Sequence, residues 1–328
     1  MTESLVTALR LAHPGARIDV AAPGWAAPVC ERMNGIGKIH SVGVVHDRFD
    51  LTKRIALSKA LRAEAYDLAI VLPNSWKSAL APFLAGIPVR RGYVGEMRYG
   101  LLNDIRTLRA ERLPRTIDRF VALAGAEADS LPGDFDWPKL QSSEAGRAGA
   151  AARLGVTVGA FPIVAICPGA EYGPSRLWPA ANFAAVARDL VLRGYAVWLF
   201  GSTKDSETAS DIVALVASEA ADGHVVNLCG RTQLSEAIDL IDAATAVITN
   251  DSGLMHVAAA LGKPVVAIYG STTPRMTPPL TARARIIERT LPCRPCFQRS
   301  CPLHHMNCLK LIQPDEVTGA LLGLLGSP

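Results

Sequence analysis

Residues 249–264 read "TNDSGLMHVAAALGKP" and lie between the apolar runs "ATAVI" and "VVAIYG". The order is that of a buried strand, a tight polar turn, a helix of small residues and a stop. Asp251 or Ser252 can cap the helix, because a side-chain oxygen there accepts from backbone N–H groups two or three residues on. Gly253 lets a ligand or another segment come close to the backbone. Gly262 ends the helix and Pro264 forbids its continuation. The start of such a helix offers free N–H groups and the positive end of the helix dipole, and together these attract anions. A plain helix cap explains the same turn, so the rest of the chain must decide.

Further polar, glycine-bearing loops follow other apolar runs. "CPGAEYGPSRLWP" brings Gly169, Gly173, Ser175 and Arg176, and "FGSTKDSE" brings Ser202, Lys204 and Asp205. "CGRTQLSEA" adds Arg231 and Thr232, and "YGSTTP" adds another turn. If the runs are parallel strands, all these loops lie at one sheet edge, the C-terminal one, where α/β folds bind ligands. The pattern predicts a nucleotide site.

Short apolar runs alternate with helical periodicity along most of the chain, which predicts an α/β fold with parallel sheets covered on both faces. The alternation pauses over residues 129–155, a stretch rich in Pro, Gly and Ser that holds a short Ala-rich helix, and we read it as the inter-domain connection. The expected domains are 1–155 and 156–328, facing each other across a cleft, with the last helix packing back on the first domain. A doubly wound domain starts with a central strand, whereas this sequence starts with the helical pattern of Leu5, Leu9 and Leu11. The first strand of the N-terminal domain is apparently missing. The fold tolerates the gap, or the natural chain is longer.

Composition narrows the class. The chain has 328 residues, 49% of them hydrophobic and 20% charged, with a net charge of +4. That is a globular composition, too mildly basic to argue for nucleic acid and suited to an anionic ligand. No apolar run has the length of a membrane span, and the opening residues lack the pattern of a signal peptide. Seven cysteines, three of them in or next to apolar runs, favour a reducing, cytoplasmic setting over a disulfide framework.

The strings "PGAEYGPSRLWP", "LFGSTKDSE", "TNDSGLMHVAAALGKPVVAIYGSTTP", "VLPNSWKSAL" and "GYVGEMRYGLLND" together resemble glycosyltransferase family 9, the ADP-heptose:lipopolysaccharide heptosyltransferases. The resemblance implies a GT-B fold of two Rossmann-like domains, with ADP-heptose on the C-terminal one and the acceptor on the other. It implies donor contacts from Gly169, Ser175, Ser202, Asp251, Ser252, Gly253, Leu254 and His256. It also implies Arg176 at the phosphates, Asp205 at the ribose and Thr232 near the adenine. The implied reaction is an inverting transfer onto the heptosyl-Kdo inner core carried by lipid A, at the cytoplasmic face of the inner membrane, with peripheral membrane contact and no nucleic acid. No cofactor is implied. Transfer of another nucleotide sugar, or a catalytically impaired nucleotide-binding remnant, are the alternatives.

Asn74, Lys77, Arg91, Glu96 and Arg98 are the expected acceptor residues, because Arg forks and interleaved aromatics suit carboxylates, phosphates and sugar rings. An inverting transfer needs a general base. The family's aspartate lies in the first strand–helix loop, which this sequence lacks, so Glu96 is the carboxylate left to consider. "DFD" at 134–136 has a metal-binding form, but no strand precedes it. "CRPCFQRSCPLHHMNC" sets Cys293, Cys296, Cys301 and Cys308 within sixteen residues. That spacing is open to structural zinc, to an iron–sulfur cluster or to thiols, free or paired.

Overall fold

The structure, a computed structural model, describes residues 1–43, 50–127, 129–131, 135–217 and 224–326. Asp134 of the "DFD" triplet lies outside them. The chain separates into two compact units, Met1–Pro138 and Lys139–Pro328. Among the described residues no helix is long and apolar enough to cross a membrane.

The first unit runs α1 (Thr2–Ala12), β1 (Val20–Ala22), α2 (Ala27–Glu31), β2 (Ile39–Ser41), α3 (Leu51–Ala63), β3 (Leu68–Ile70), α4 (Trp76–Ala85), β4 (Val89–Tyr93), β5 (Asp104–Arg106) and α5 (Thr116–Ala122). Its described strands form two separate parallel ladders, β1–β2 and β3–β4–β5, where one continuous sheet is the rule for this architecture. Helix α1 buries Leu5, Val6 and Ala8 and packs along α5, while Leu11 stays 74% exposed. Asp50 accepts from the Lys53 N–H at 3.0 Å and starts α3. Leu57 and Leu61 of α3 then pack on Ala81 and Ala85 of α4 and on Ile87. Gly86 ends α4 in the left-handed region (φ 77°), a conformation that costs glycine little.

The second unit runs α6 (Glu144–Leu154), β6 (Ile163–Cys167), α7 (Ala180–Leu192), β7 (Ala196–Leu199), α8 (Ser206–Ala217), β8 (Val225–Asn227), α9 (Leu234–Asp242), β9 (Ala246–Asn250), α10 (Gly253–Ala260), β10 (Val265–Ile268), β11 (Ala284–Ile287), α11 (Asn307–Lys310) and α12 (Pro314–Leu325). Its six described strands are all parallel, in the order β11-β10-β9-β6-β7-β8. Every residue of β6, β9 and β10 is buried, as near-continuous apolar strands covered on both faces require. Phe183, Val186, Ala187 and Leu190 of α7 fall at helical spacing and seal one face. Trp178 meets Phe183 edge-on, 4.8 Å between ring centres.

One boundary differs from expectation. The break falls after Pro138, not at 155, because α6 belongs to the second unit. Its Ala150, Ala151 and Leu154 pack with Ala237, Leu240 and Ile241 of α9, and Asp239 accepts the Ser143 N–H at 2.7 Å. The last helix packs in the second unit's own core, burying Val317 and Leu321 beside α7 and the sheet.

Candidate functional site

The strand order creates the site. The chain runs outward from β6 through β7 to β8, then crosses back to β9 on the other side of β6. The C-terminal ends of β6 and β9 therefore flank a topological switch point, the usual ligand crevice of open α/β sheets. Asn250, the fully buried last residue of β9, bridges it: its Nδ2 donates to the Pro168 carbonyl at 2.5 Å and its Oδ1 accepts the Trp178 N–H at 3.2 Å.

The turn 251–253 opens α10; the Asp251 N–H is taken by the Ile268 carbonyl at 3.1 Å, and no side chain caps the helix start that follows. Ser252 is the N-cap residue, yet its side chain makes no bond to the helix; its Oγ lies 3.2 Å from Thr249 Oγ1. Asp251 does not cap either. Its Oδ2 faces Arg176 Nη1 at 2.9 Å and accepts from Thr272 Oγ1 at 2.6 Å. A carboxylate 4% exposed is thus held by one charge and one hydroxyl, the pairing a buried charge requires. Gly253 has open space where a side chain would be. Uncapped N–H groups beside a guanidinium can receive an anion.

Arg176 is built in from several sides. Its guanidinium stacks on Tyr172, 4.1 Å from the ring centre, and its buried Nε has no hydrogen-bond partner among the described residues. Tyr172 is fixed by its hydroxyl, which donates to the Phe297 carbonyl at 2.5 Å, and its own carbonyl accepts from Arg299 Nε at 2.8 Å. Desolvation, with the Arg176 charge adding to it, pushes the His256 imidazole down to about 4, so His256 is neutral near pH 7. Leu254 and His256 are both half-buried on α10.

The remaining expected donor residues divide. Asp205 accepts from both the N–H and the hydroxyl of Ser202 at 2.8 Å, closing the turn that follows β7. Gly169 lies against it: a Cβ there would come within 2.3 Å of the Asp205 carboxylate. Thr232 is half-buried, with its hydroxyl toward the Leu228 carbonyl at 3.5 Å. Ser175 is a correction. It is 1% exposed, its hydroxyl donates to the Gln298 carbonyl at 2.5 Å and it meets Ser271 Oγ at 2.8 Å, so it joins loops and offers nothing to a ligand. Asn250, Tyr172 and Thr272 were not singled out in the sequence. Each lies inside a loop string that the sequence did mark, Asn250 in "TNDSGLMH", Tyr172 in "CPGAEYGPSRLWP" and Thr272 in "YGSTTP", without a role of its own.

In the first unit the basic residues are mostly spent internally. Arg98 is 1% exposed and donates to the carbonyls of Pro73 and Tyr93 and, at 3.1 Å, to Asn74 Oδ1. Arg91 pairs with Asp104 at 2.6 Å and donates to the carbonyls of Leu123 and Gly125. Both were expected to face an acceptor; both instead satisfy backbone carbonyls of their own unit, Arg98 beside strands β3 and β4 and Arg91 just past the end of α5. Asn74 and Glu96 are exposed and Lys77 is half-buried. The Glu96 N–H bonds the Asn74 carbonyl at 3.1 Å, which brings the two segments together.

Comparison with known proteins gives this arrangement a lineage. The Escherichia coli K12 lipopolysaccharide heptosyltransferase 2 is 44% identical over 293 residues, covering 88% of this chain and 84% of that one. The Haemophilus influenzae lipooligosaccharide heptosyltransferase 2 is 44% identical over 295 residues, with the same shares covered. The solved structure of E. coli ADP-heptose LPS heptosyltransferase II superposes with a TM-score of 0.86 at 40% identity, covering 99% of this chain and 94% of that chain. The α/β fold with its parallel sheets is thus that of GT-B heptosyltransferase structures. The family model for glycosyltransferase family 9 (heptosyltransferase) matches residues 54–307, a span that includes the switch point, Arg176 and the turn at Asp251, and the chain belongs to that family.

Proposed function

We propose that the chain transfers L-glycero-D-manno-heptose from ADP-heptose to the heptosyl-Kdo inner core of lipopolysaccharide, with inversion at the anomeric carbon. The observation that carries this reading is the Arg176–Asp251 pair beside an uncapped helix start at the switch point. The names of the relatives support the donor and the acceptor class.

In this reading Lys139–Pro328 takes the donor. The first N–H groups of α10 and Arg176 hold the diphosphate, with Ser252, Gly253, Leu254 and His256 around the sugar. Asp205 and Ser202 meet the ribose, Gly169 allows close approach, and the backbone near Thr232 faces the adenine. The acceptor hydroxyl attacks C1 of the heptose, the C1–O bond to the diphosphate breaks, and ADP leaves. Charge builds on the leaving phosphate, where a fixed guanidinium and a helix dipole stabilise it. This scheme requires no metal.

The first unit takes the acceptor through Asn74, Lys77 and Glu96. Glu96 is the carboxylate assigned to receive the acceptor proton. Work on a lipid-borne acceptor puts the enzyme at the cytoplasmic face of the inner membrane, in peripheral contact. The test is heptose transfer from ADP-heptose to heptosyl-Kdo-lipid A. Arg176→Ala and Asp251→Ala each abolish transfer while the proteins remain folded; near-normal turnover in both overturns the site.

A further inference from the structure

The segment 293–308 has no part in the chemistry above, yet it is tied to the loops that carry it. The Phe297 N–H donates to the Ser271 carbonyl at 2.9 Å, the Ser175 N–H donates to the Arg299 carbonyl at 3.2 Å, and Arg294 Nη2 donates to the Thr272 carbonyl at 2.8 Å. These are the neighbours of Arg176 and of the hydroxyl that holds Asp251.

Within this strap Cys293, Cys296, Cys301 and Cys308 all line one small cavity of about 20 Å³, room for a single water or ion and not for a cluster of several atoms. All four are free thiols, and Cys308 lies within electrostatic range of the other three. The backbone amides of Met306, Leu303, His305 and His304 face the Cys301 sulfur. Phe297, His304 and Met306 are non-glycine residues held at φ 53°, 55° and 56°, conformations that persist where the surroundings dictate them. His305 also borders the cavity, but its Nδ1 accepts the Asn307 N–H at 2.9 Å. In the conformation described, no three His, Cys, Asp or Glu side chains among the described residues already stand as a metal-binding group. Tetrahedral thiolate coordination needs sulfurs about 3.7 Å apart, so binding requires the four thiols to turn toward one another from the positions described.

We propose that these four cysteines bind one thiophilic divalent ion, Zn²⁺ or Fe²⁺, and so fasten the strap that backs Arg176 and Asp251. Four thiols release four protons to solvent as the four metal–sulfur bonds form. Arg294, at the cavity wall, offsets part of the net negative charge of the site.

The test uses the full chain, purified anaerobically and without a metal-affinity step. Elemental analysis is expected to find stoichiometric zinc or iron, and which of the two is bound identifies the ion. After stripping, Co²⁺ is expected to give a thiolate-to-cobalt charge-transfer band. The band is lost in Cys301→Ser and Cys308→Ser and kept in Cys30→Ser, whose buried thiol lies in the first unit. Should the strap variants not fold, alkylation mapping of the wild type decides: the metal protects these four thiols and a chelator exposes them. A folded wild type that takes up neither cobalt nor zinc, or uptake unchanged by the serine substitutions, overturns the proposal.

Discussion

Replacing Arg176 by alanine tests the heart of the site, because it removes the only charge partner that Asp251 has among the described residues. The pair is 2.9 Å apart, with the Asp251 side chain 4% and the Arg176 side chain 20% exposed. At that separation the Coulomb attraction is about 6 kcal/mol at an effective dielectric constant near 20. Desolvation offsets much of it, and removing one partner of a buried pair costs about 3–5 kcal/mol. Thr272 still donates to the orphaned carboxylate, so the expected loss is about 2–3 kcal/mol. For a unit of this size that is a fall in Tm of roughly 4–12 °C. Calorimetric titration with ADP is expected to lose roughly tenfold or more in affinity, since a charge-assisted phosphate contact goes with the arginine. The double variant Arg176→Ala/Asp251→Ala should be more stable than the sum of the single losses, by about 1–3 kcal/mol. An Arg176→Ala protein with unchanged melting and unchanged ADP binding would refute both the pairing and the phosphate role.

Three further outcomes follow from the same geometry. Thr272→Val removes the 2.6 Å donor to Asp251 and should destabilise by about 1–2 kcal/mol and slow transfer, with Thr272→Ser restoring both; equal rates in Val and wild type count against the contact. Hydrogen bonds from Arg106, and beyond them from Arg91, hold the Asp104 carboxyl below its usual range despite partial burial. Its contribution is therefore full above about pH 4 and fades as pH falls through the depressed folded value; Asp104→Asn should lower the urea midpoint at pH 7, and the gap should close in acid. Burial, with Asp205 adding, pushes the Cys229 thiol up to about 12, and burial also raises Cys167. Both should resist iodoacetamide at pH 8 until the protein is unfolded, so labelling of the native form at either position contradicts the packing.

The second unit was largely legible because its strands are buried on both faces and read as unbroken apolar runs: "IVAIC", "AVITN" and "VVAI" coincide with β6, β9 and β10. Strand β4 hid behind Arg90 and Arg91, whose charges make "VRRGY" read as surface. The same charges misled the reading of the site. An arginine whose fork ends on main-chain carbonyls looks, in sequence, like one that awaits a phosphate. Arg176 and Asp251 meet in the structure because each belongs to a loop that follows a strand end, where the fold fixes position. Ser175 was misassigned because the sequence does not disclose which face of a three-residue turn is buried. The place of α6 turns on Asp239 and α9, nearly a hundred residues away along the chain, and no local pattern reports such a partner.

The glycines around the donor loops limit how this site can change by drift or by design. A methyl group at Gly173 would come within 2.6 Å of the Arg299 carbonyl, and one at Gly270 within 2.4 Å of the Ser175 carbonyl. Like Gly169 against Asp205, these are places where two loops touch through the absence of a side chain. A mutational library spread evenly over the site would spend these positions on collapsed variants. Under the proposed donor mode, altered donor preference is expected from substitutions at Ser202, Gly253 and Leu254, which leave these glycine contacts in place.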